Sequence, residues 1–457
     1  MSLTTCTIQV TPHTEKIIYA SGSLLQSLGM SGARSIRLTL GSKSTTAPVK
    51  VLKRKGSLLQ IPASMVSQLK LPHAGKCLAT NRGSREIRLG PLIGILSVPG
   101  RTGSSPFGNA TGLLRQIMSL GKDKSFYFAF TPRDVNWEEE TITGYFPQGA
   151  GSWTRRTVPL PDVIYNRVMD RKAENSTAMH NFKDRFVRRG IPIFNWSFFD
   201  KWDVYKMLEN DRANKYVPET NINPSAQEIK DMLTKHKFVY LKPTGGSLGI
   251  GIYRLTYNPQ RGYFARFRRN GKNVLIRYPR FENLMNMLMK NHKGSLQNYV
   301  VQQGIRLIEL DSCPIDFRFH MTKNGRNEWV VCAVGAKKAG RGSVTTHIRN
   351  GGQLMTPQQV LNIIFGSRAN EVLNNAKKTA IELAEAIERN YAHTLGEIGF
   401  DLGIDQSENI WMFEANAKPG RSIFKHPTLK PLGRQALANL FEHSLYLSEF
   451  RPGREDK

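Results

Sequence analysis

The segment that most constrains the fold runs from Gly396 to Gly420 and reads GEIGFDLGIDQSENIWMFEANAKPG. Two apolar runs, GFDLGI and IWMF, flank the turn-forming stretch SEN and predict an antiparallel pair of strands. Glu414 and Asn416 are two residues apart and so point to one face, and the pairing would bring Asp401 beside them. Carboxylate and amide oxygens are ligands that Mg²⁺ prefers, so we predict a magnesium site. The alternative is a hairpin whose acidic side chains face solvent.

A second segment, Lys237 to Leu255, reads KFVYLKPTGGSLGIGIYRL and predicts two strands joined by a glycine-rich loop. Glycines let backbone N–H groups approach phosphate oxygens, so the loop is suited to closing over a nucleotide. It is neither a Walker A loop nor a Rossmann fingerprint, because no helix follows it and the spacing differs. Lys242 ends an apolar strand, where an ammonium group needs an anionic partner. The alternative is an ordinary flexible hairpin.

The chain is strongly basic, with 65 Lys and Arg against 36 Asp and Glu, a net charge of +29 over 457 residues. Residues 1–88 hold 13 Lys and Arg but only two acidic residues. The remaining charge runs are short, as in RFRR at 266–269. This excess predicts either a surface for a polyanion or a basic solvated face.

Other broad classes are disfavoured. No run of about 18 apolar residues predicts a membrane span, and the N-terminus lacks the pattern of a secretory signal. The four cysteines lie far apart without a CxxC pair, which favours a reducing compartment and no zinc site. We therefore expect a cytoplasmic protein, with no membrane partner.

The predicted organisation is mixed α/β and α+β in three parts. Residues 1–88 show short alternating runs and predict a small β-rich, barrel-like module with one short helix in IPASMVSQL. No internal repeat is visible in the sequence. Residues 90–195 alternate apolar runs that predict buried strands, PLIGILS, FYFAF, PDVIYNR and GIPIFN, with a helical pattern from Thr111 to Leu120, and so predict a Rossmann-like α/β domain. Residues 196–450 carry the two segments described above and the clearest helix, Asn374–Asn390.

In that last part, the ordered series of motifs resembles the ATP-grasp proteins. The series comprises Lys201 in FFDKWDVYKML, Lys242 with its glycine loop, VVQQGI, DFR at 316–318, and then Asp401, Glu414 and Asn416. It covers roughly residues 195–430. The chain is further similar to the YheC/YheD family of spore-forming bacteria, described as endospore coat-associated, through GPLIGIL, PDVIYNR and GIPIFNWSFFDKW.

This resemblance implies an ATP-grasp fold and a role for each matching position. Lys201 and Lys242 would contact the phosphates of ATP, and Arg318 and Lys242 would serve catalysis by stabilising developing charge. The hinge under the adenine would span Val301–Ile305, with backbone groups of Gln303 and Ile305 reading the adenine edge. The full predicted sets are, for the nucleotide, Lys201, Lys242, Gly245, Gly246, Ser247, Gly249, Gln302, Gln303, Gly304 and Ile305, and for Mg²⁺, Asp401, Glu414 and Asn416.

Two positions depart from the pattern of ATP-grasp relatives. Gln303 stands where many of them have Glu at the hinge. His347 stands near an expected Asn in the loop THIRNGG, so its part in substrate binding is open, and a structural or solvent-facing role is favoured for this lone histidine.

The predicted function is an ATP- and Mg²⁺-dependent ligase that joins a carboxylate to an amine or thiol through an acyl phosphate. Positioning and electrostatics carry such chemistry, so no Cys or Ser nucleophile is assigned. The basic excess of residues 1–88 predicts delivery of an acidic peptide or polymer as substrate. The alternative is that this module anchors the protein to an acidic coat, with spore-coat proteins as candidate partners, or to nucleic acid. The alternative is a coat-associated structural or binding protein that keeps the fold without catalysis. A nucleic-acid binder is disfavoured, because no RNA-binding signature with interleaved aromatic residues is present.

Overall fold

The computed structural model describes residues 2–81, 83, 85–100, 105–244, 251–343, 346 and 351–451. The four predicted flap residues, Gly245, Gly246, Ser247 and Gly249, lie outside the described residues, as does His347. Within the described residues, no helix is long and apolar enough to cross a membrane.

The N-terminal region is a closed barrel, as its alternating short strands predict. Seven strands close it in the order β1-β5-β2-β4-β3-β7-β6, and the buried side of each strand fills a common core. The predicted single helix in IPASMVSQL is present as α2, but a second helix, α1, was not predicted. The elements are β1 Leu3–Thr11, β2 Ile18–Ser21, α1 Gly22–Ser27, β3 Ser35–Leu40, β4 Lys43–Leu52, β5 Leu58–Pro62, α2 Ala63–Leu69, β6 Gly75–Asn81 and β7 Glu86–Gly90.

The barrel contains an internal structural repeat that is not visible in the sequence. Each half runs strand, strand, helix, strand, and α2 begins at Ala63, 41 residues after α1 begins at Gly22. The pairing repeats too, since β1 lies parallel to β5 as β4 lies parallel to β2. The halves share burial at equivalent positions such as Leu28 and Leu69 but few identities, so the repeat is visible in topology and not in composition.

The second sheet combines a parallel centre with an antiparallel extension. Strands β9, β8, β13 and β14 are parallel, as the predicted runs PLIGILS, FYFAF, PDVIYNR and GIPIFN require. Strands β10 to β12 extend it antiparallel and were not predicted. The elements are β8 Leu92–Leu96, α3 Thr111–Leu120, β9 Phe126–Phe130, β10 Val135–Asn136, β11 Thr141–Pro147, β12 Trp153–Pro159, β13 Val163–Asn166, α4 Arg171–Glu174, α5 Thr177–Val187 and β14 Ile193–Phe194.

A small antiparallel sheet follows, with strand order β15-β20-β16-β17-β18-β19. Its apolar face packs on α7 and α8, leaving the opposite face, which carries Lys242, to line the site. The elements are α6 Lys201–Glu209, β15 Thr220–Ile222, α7 Ala226–His236, β16 Phe238–Pro243, β17 Tyr253–Asn258, β18 Gly262–Arg269, β19 Lys272–Tyr278, α8 Phe281–Asn291 and β20 Tyr299–Gln303.

The last sheet has the order β24-β23-β22-β25-β26, with β21 paired to β22. Its apolar face packs on the long helix α10, which begins five residues before the predicted Asn374 because Ala369, Val372 and Leu373 already belong to its buried stripe. The elements are β21 Glu309–Leu310, β22 Cys313–Lys323, β23 Trp329–Lys338, β24 Gln353–Met355, α9 Pro357–Phe365, α10 Ala369–Arg389, β25 Glu397–Ile404, β26 Ile410–Asn416 and α11 Lys430–Leu447.

Side chains contact one another across the predicted domain boundaries. The boundaries themselves remain a prediction. The core of the barrel continues into the second sheet through Leu92, Phe126 and Leu160, and Arg88 is 2.6 Å from Asp162. Helix α11 returns from the C-terminal part to pack on the second sheet. Removal of residues 1–88 would therefore expose apolar surface of the second sheet.

Candidate functional site

The hairpin β25–β26 has the geometry that its sequence predicts. Asp401 lies directly opposite Glu414, and Gly399 opposite Asn416, so all four share one face of the sheet. Asp405 closes the turn by accepting the N–H groups of Ser407 and Asn409, both at 2.9 Å. The carboxylates face other charged groups across the sheet, so the alternative of a purely solvent-facing hairpin is wrong for Asp401.

Asp401 accepts hydrogen bonds from two cations. Its Oδ2 lies 3.1 Å from Arg318, the residue opposite it on β22, and its Oδ1 lies 2.9 Å from the Lys337 ammonium. Burial alone would raise the pKa of Asp401, but Arg318 and Lys337 outweigh it and lower the pKa to about 2. Asp401 is therefore an anion at any physiological pH.

Lys337 and Asp316 belong to the same cluster, and the sequence reasoning gave neither a role. They lie opposite each other on β23 and β22, with the ammonium 3.0 Å from Asp316. Burial would lower the pKa of Lys337, yet Asp316 and Asp401 raise it instead. Burial raises the pKa of Asp316, whose Oδ2 also accepts the hydroxyl of Thr346. A lysine ending the apolar strand VVCAVGAKK was the available signal.

A glycine makes room for Arg318. A Cβ atom on Gly399 would lie 3.2 Å from the guanidinium carbon and 2.6 Å from the Cβ of Pro419, closer than side chains tolerate. In the orientation that satisfies both neighbours, the Asn416 amide donates to Glu414 at 3.2 Å and accepts from Arg318 at 3.3 Å. Arg318 thus connects Asp401 to Asn416, two of the predicted metal ligands.

Lys201 and Lys242 reach this cluster from other elements. Lys201 is the first residue of α6, and its ammonium is 3.8 Å from Glu414. Lys242 lies above the rings of Tyr240 and Phe413, at 5.3 and 5.7 Å, and so faces the hairpin. Burial, followed by repulsion from Lys201, lowers the pKa of Lys242 to about 8. The structure therefore brings both predicted phosphate-binding lysines together with Glu414.

Some groups of the predicted hinge residues hold neighbouring parts of the fold in place, and others remain available to a ligand. Gln302 is buried, and its side chain accepts from Lys242 at 2.6 Å and donates to Tyr205 at 2.8 Å, so it holds Lys242 in place. The N–H of Gln303 donates to the carbonyl of Glu219 at 2.8 Å. Of the two backbone groups of Gln303, this leaves the carbonyl for the predicted contact with an adenine edge.

Gly304 has a packing role, whereas Ile305 offers a backbone group to a ligand. A Cβ on Gly304 would lie 2.1 Å from the ring of Phe238, so the glycine is required for packing. The N–H of Ile305 makes no backbone hydrogen bond among the residues that the structure describes. Ile305 therefore keeps a backbone donor for a ligand at the end of β20.

The donor set fits a magnesium ion that also contacts a nucleotide. Among the described residues, no three His, Cys, Asp or Glu side chains are grouped closely enough to hold a metal by themselves. Asp401 and Glu414 supply two carboxylates and Asn416 an amide. Mg²⁺ is commonly held by one or two carboxylates together with phosphate oxygens and water, so a set of this size suits a shared metal.

Comparison with known proteins gives the family. A family model described as YheC/D like ATP-grasp matches residues 190–447, which include every residue of the cluster. The chain belongs to the YheC/YheD family of ATP-grasp proteins. It is 34% identical over 420 residues to the endospore coat-associated protein YheD of Bacillus subtilis (strain 168), covering 91% of each chain. The family and the ATP-grasp fold predicted from the sequence are thus confirmed.

Two further likenesses are weaker. The endospore coat-associated protein YheC of the same organism is 22% identical over 313 residues, covering 65% of this chain and 81% of its own. A crystal structure of D-alanine–D-alanine ligase from Bacillus anthracis matches with a TM-score of 0.44 and 10% identity, over 78% of this chain and 98% of the other. At this distance the second match adds nothing to the family assignment.

Proposed function

We propose that the protein is an ATP- and Mg²⁺-dependent ligase that joins a carboxylate to an amine or a thiol and forms ADP. The observation that carries this proposal is the meeting of two charged faces at one site. Lys242 from the small sheet faces the Asp401–Glu414 hairpin of the large sheet, and Lys201 is 3.8 Å from Glu414. Cations for phosphate beside carboxylates for a metal are what phosphoryl transfer requires.

The metal would be held by Asp401, Glu414 and Asn416 together with phosphate oxygens. When bound, Mg²⁺ supplies positive charge that stabilises the transferring phosphoryl group. Glu414 is suited to this role because its side chain is 31% exposed and its nearest cation, Lys201, is 3.8 Å away. Asp401 would keep its orientation through Arg318 and Lys337 whether or not the metal is present.

The three cations have separate tasks in this proposal. Lys201 and Lys242 would bind phosphate oxygens, and the low pKa of Lys242 would rise when an anion enters beside it. Arg318 projects from the same face toward Asn416 and would stabilise charge that develops on the transferred phosphate. The Ile305 N–H and the Gln303 carbonyl would contact the adenine edge.

The proposed reaction has two steps. An oxygen of the substrate carboxylate attacks the γ-phosphorus of ATP, the bond from that phosphorus to the β,γ-bridging oxygen breaks, and ADP leaves. The nitrogen or sulfur of the acceptor then attacks the carbonyl carbon of the acyl phosphate. The carbon–oxygen bond breaks, and phosphate and one proton are released. Neither step needs a nucleophile from the protein, because positioning and charge stabilisation supply the catalysis.

A second candidate is favoured by the names of the relatives. Both curated relatives are called endospore coat-associated proteins, so this chain would act in or beside a spore coat as a binding protein with little catalysis. The complete charged set of the site favours the ligase, since a binding protein without turnover has no need of Asp401, Glu414 and Asn416 together. Turnover separates the two.

The test is release of ADP and phosphate from ATP and Mg²⁺ in the presence of amino acids and acidic peptides. Glu414→Gln should abolish release while leaving the fold intact. Glu408→Gln is the matched control, because Glu408 lies at the turn of the same hairpin and pairs with Arg368 away from the site. If wild-type protein releases no ADP with any acceptor, or if Glu414→Gln turns over like Glu408→Gln, the ligase proposal is wrong.

A further inference from the structure

The small sheet carries the densest positive charge in the chain. Between residues 232 and 281 there are 11 Lys and Arg and no Asp or Glu. The barrel region has a similar excess but spreads it over 88 residues, with 13 basic and two acidic residues. The run RFRR in β18 belongs to this denser segment. Of the 11 basic residues in this segment, the proposed nucleotide site uses only Lys242, so the others have no assigned role.

Part of this charge lies on the face that also carries Lys242. Tyr240 is opposite Arg254 on β17, Arg254 is opposite Arg266 on β18, and Arg266 is opposite Leu275 on β19. Residues opposite each other in antiparallel strands share a face, and Lys242 is two residues from Tyr240 on the same face. The row therefore leads from the proposed nucleotide site to the edge of the sheet, three strand spacings or about 14 Å away.

An anion bound beside this row would offset the repulsion between its arginine side chains. Arg254 and Arg266 are like charges placed directly opposite each other, an arrangement that destabilises a sheet. The Nε of Arg254 is shielded from solvent and has no hydrogen-bond partner among the described residues. The next row places Phe264 opposite Arg277, so apolar and cationic side chains alternate on this face.

The row ends at an unpaired strand. In the described part of the chain, β19 pairs only with β18, so half of its backbone N–H and C=O groups point outward. Val274 and Ile276 pack against the core of the sheet, while Leu275 on the other face is 57% exposed. Charged side chains on an edge strand also serve simply to prevent aggregation, and that explanation requires no ligand.

We infer that this face, defined by Arg254, Arg266, Arg277 and Leu275, binds an acidic peptide in extended conformation along β19. The peptide would add a strand to the sheet, a mode in which main-chain hydrogen bonds give affinity and side chains give specificity. Its carboxylates would pair with Arg266 and Arg277. At about 3.3 Å per residue, four or five further residues would carry the chain to Lys242. Resting on the proposed ligase function, this makes the peptide the substrate that supplies the carboxylate.

Binding is measured with a fluorescein-labelled peptide of ten glutamates by fluorescence anisotropy, without ATP, on the full chain. Arg266→Gln with Arg277→Gln should weaken binding about tenfold, taking each partly exposed ion pair as about threefold. Lys53→Gln with Lys55→Gln removes the same charge from an exposed loop of the barrel and should change affinity less than twofold. Arg266→Lys with Arg277→Lys should keep most of the wild-type affinity, which separates charge from packing.

Two further measurements bear on the mode of binding. The peptide should slow hydrogen exchange of the amides in 272–278, because an added strand pairs with them. Ten-residue polyglutamine should not bind, and an oligothymidylate of equal charge should bind more weakly than the glutamate peptide. Unchanged affinity in the 266/277 variant, an equal loss in the 53/55 variant, unprotected β19 amides, or tighter binding of the oligothymidylate would each overturn the inference.

The outcomes remain separable from those of the ligase proposal. Glu414→Gln should bind the peptide as tightly as wild type, because Glu414 lies on the other sheet. Peptide binding without ADP release would retain the surface and reject the ligase. ADP release stimulated by small carboxylates without peptide binding would retain the ligase and reject the surface.

Discussion

Replacing Lys337 by methionine should destabilise the large sheet far more than the same change at its neighbour Lys338. The Lys337 ammonium is 3.0 Å from Asp316 and 2.9 Å from Asp401, and none of the three side chains is more than 20% exposed. Breaking a buried ion pair by removing one partner costs about 3–5 kcal/mol. Arg318 still contacts Asp401 at 3.1 Å, so we expect the lower end, about 3 kcal/mol.

Lys338 provides the internal control. It is the next residue on the strand and pairs with Asp311, whose side chain is 74% exposed. An ion pair open to solvent contributes about 0–1 kcal/mol, so Lys338→Met should be nearly neutral. Both substitutions remove one positive charge from β23 and add a similar apolar side chain. They differ in the face of the sheet to which the side chain points and in what the ammonium contacts.

Urea unfolding and hydrogen exchange measure the two losses. Tryptophan fluorescence gives the overall transition, and the exchange of amides in β22 and β23 reports on this sheet without assuming that the whole chain unfolds in one step. The Lys337 variant should lose about 2 kcal/mol or more relative to the Lys338 variant. Equal losses, within about 0.5 kcal/mol, would refute the assignment of Lys337 as the shared partner of two buried carboxylates.

Three other changes test the site. Lys242→Met should weaken ATP binding about 10- to 150-fold by calorimetry, the loss of one charge-assisted contact. The wild-type affinity should also fall as pH rises through about 8, where Lys242 loses its proton, and be flat from pH 7 to 9.5 in the variant. Gly399→Ala should lower the free energy of unfolding by about 1–3 kcal/mol, because the added Cβ would lie 2.6 Å from Pro419. It should also displace Arg318 and slow turnover. Asp401→Asn should make the free energy of unfolding less dependent on pH in the acid range. The pKa of Asp401 falls from 3.8 to about 2 on folding, so the ionised side chain stabilises the fold by about 2 kcal/mol. This stabilisation is complete above about pH 4 and is lost between about pH 4 and 2.

The sequence pattern predicts the structure well where the residues that determine a strand pair or a helix lie close together in the chain. The apolar runs with SEN between them predicted the β25–β26 pairing, and the helical spacing from Thr111 to Leu120 predicted α3 to the residue. The antiparallel pair β16–β17, which flanks the glycine-rich stretch after Lys242, was likewise predictable. In each of these segments, the residues that decide the structure are within about 25 positions of one another.

Contacts between distant segments were not predictable in the same way. The barrel repeat depends on parallel pairs such as β1 with β5, whose partners are about 50 residues apart and share few identities. Strand β12 has three successive exposed residues and no alternation, and β10 has only two residues, so their pairing depends on β11 at the edge of the parallel sheet. The segment of the predicted hinge pairs with β15, and only this pairing shows that the carbonyl of Glu219, the residue before β15, already accepts the Gln303 N–H.

The cluster around Asp401 contains two further charged residues that share a sequence signal with Lys242. An ammonium on an apolar strand needs an anion, which predicts a partner for Lys242. The same criterion applies to Lys337 at the end of VVCAVGAKK and to Asp316 in PIDFRF, two apolar strands that each contain an unexpected charge. Because buried charges are retained only when paired, a lysine on one such strand and an aspartate on another predict each other as partners. In this fold they are opposite residues on β22 and β23, which is why removing either one should disturb Asp401 as well.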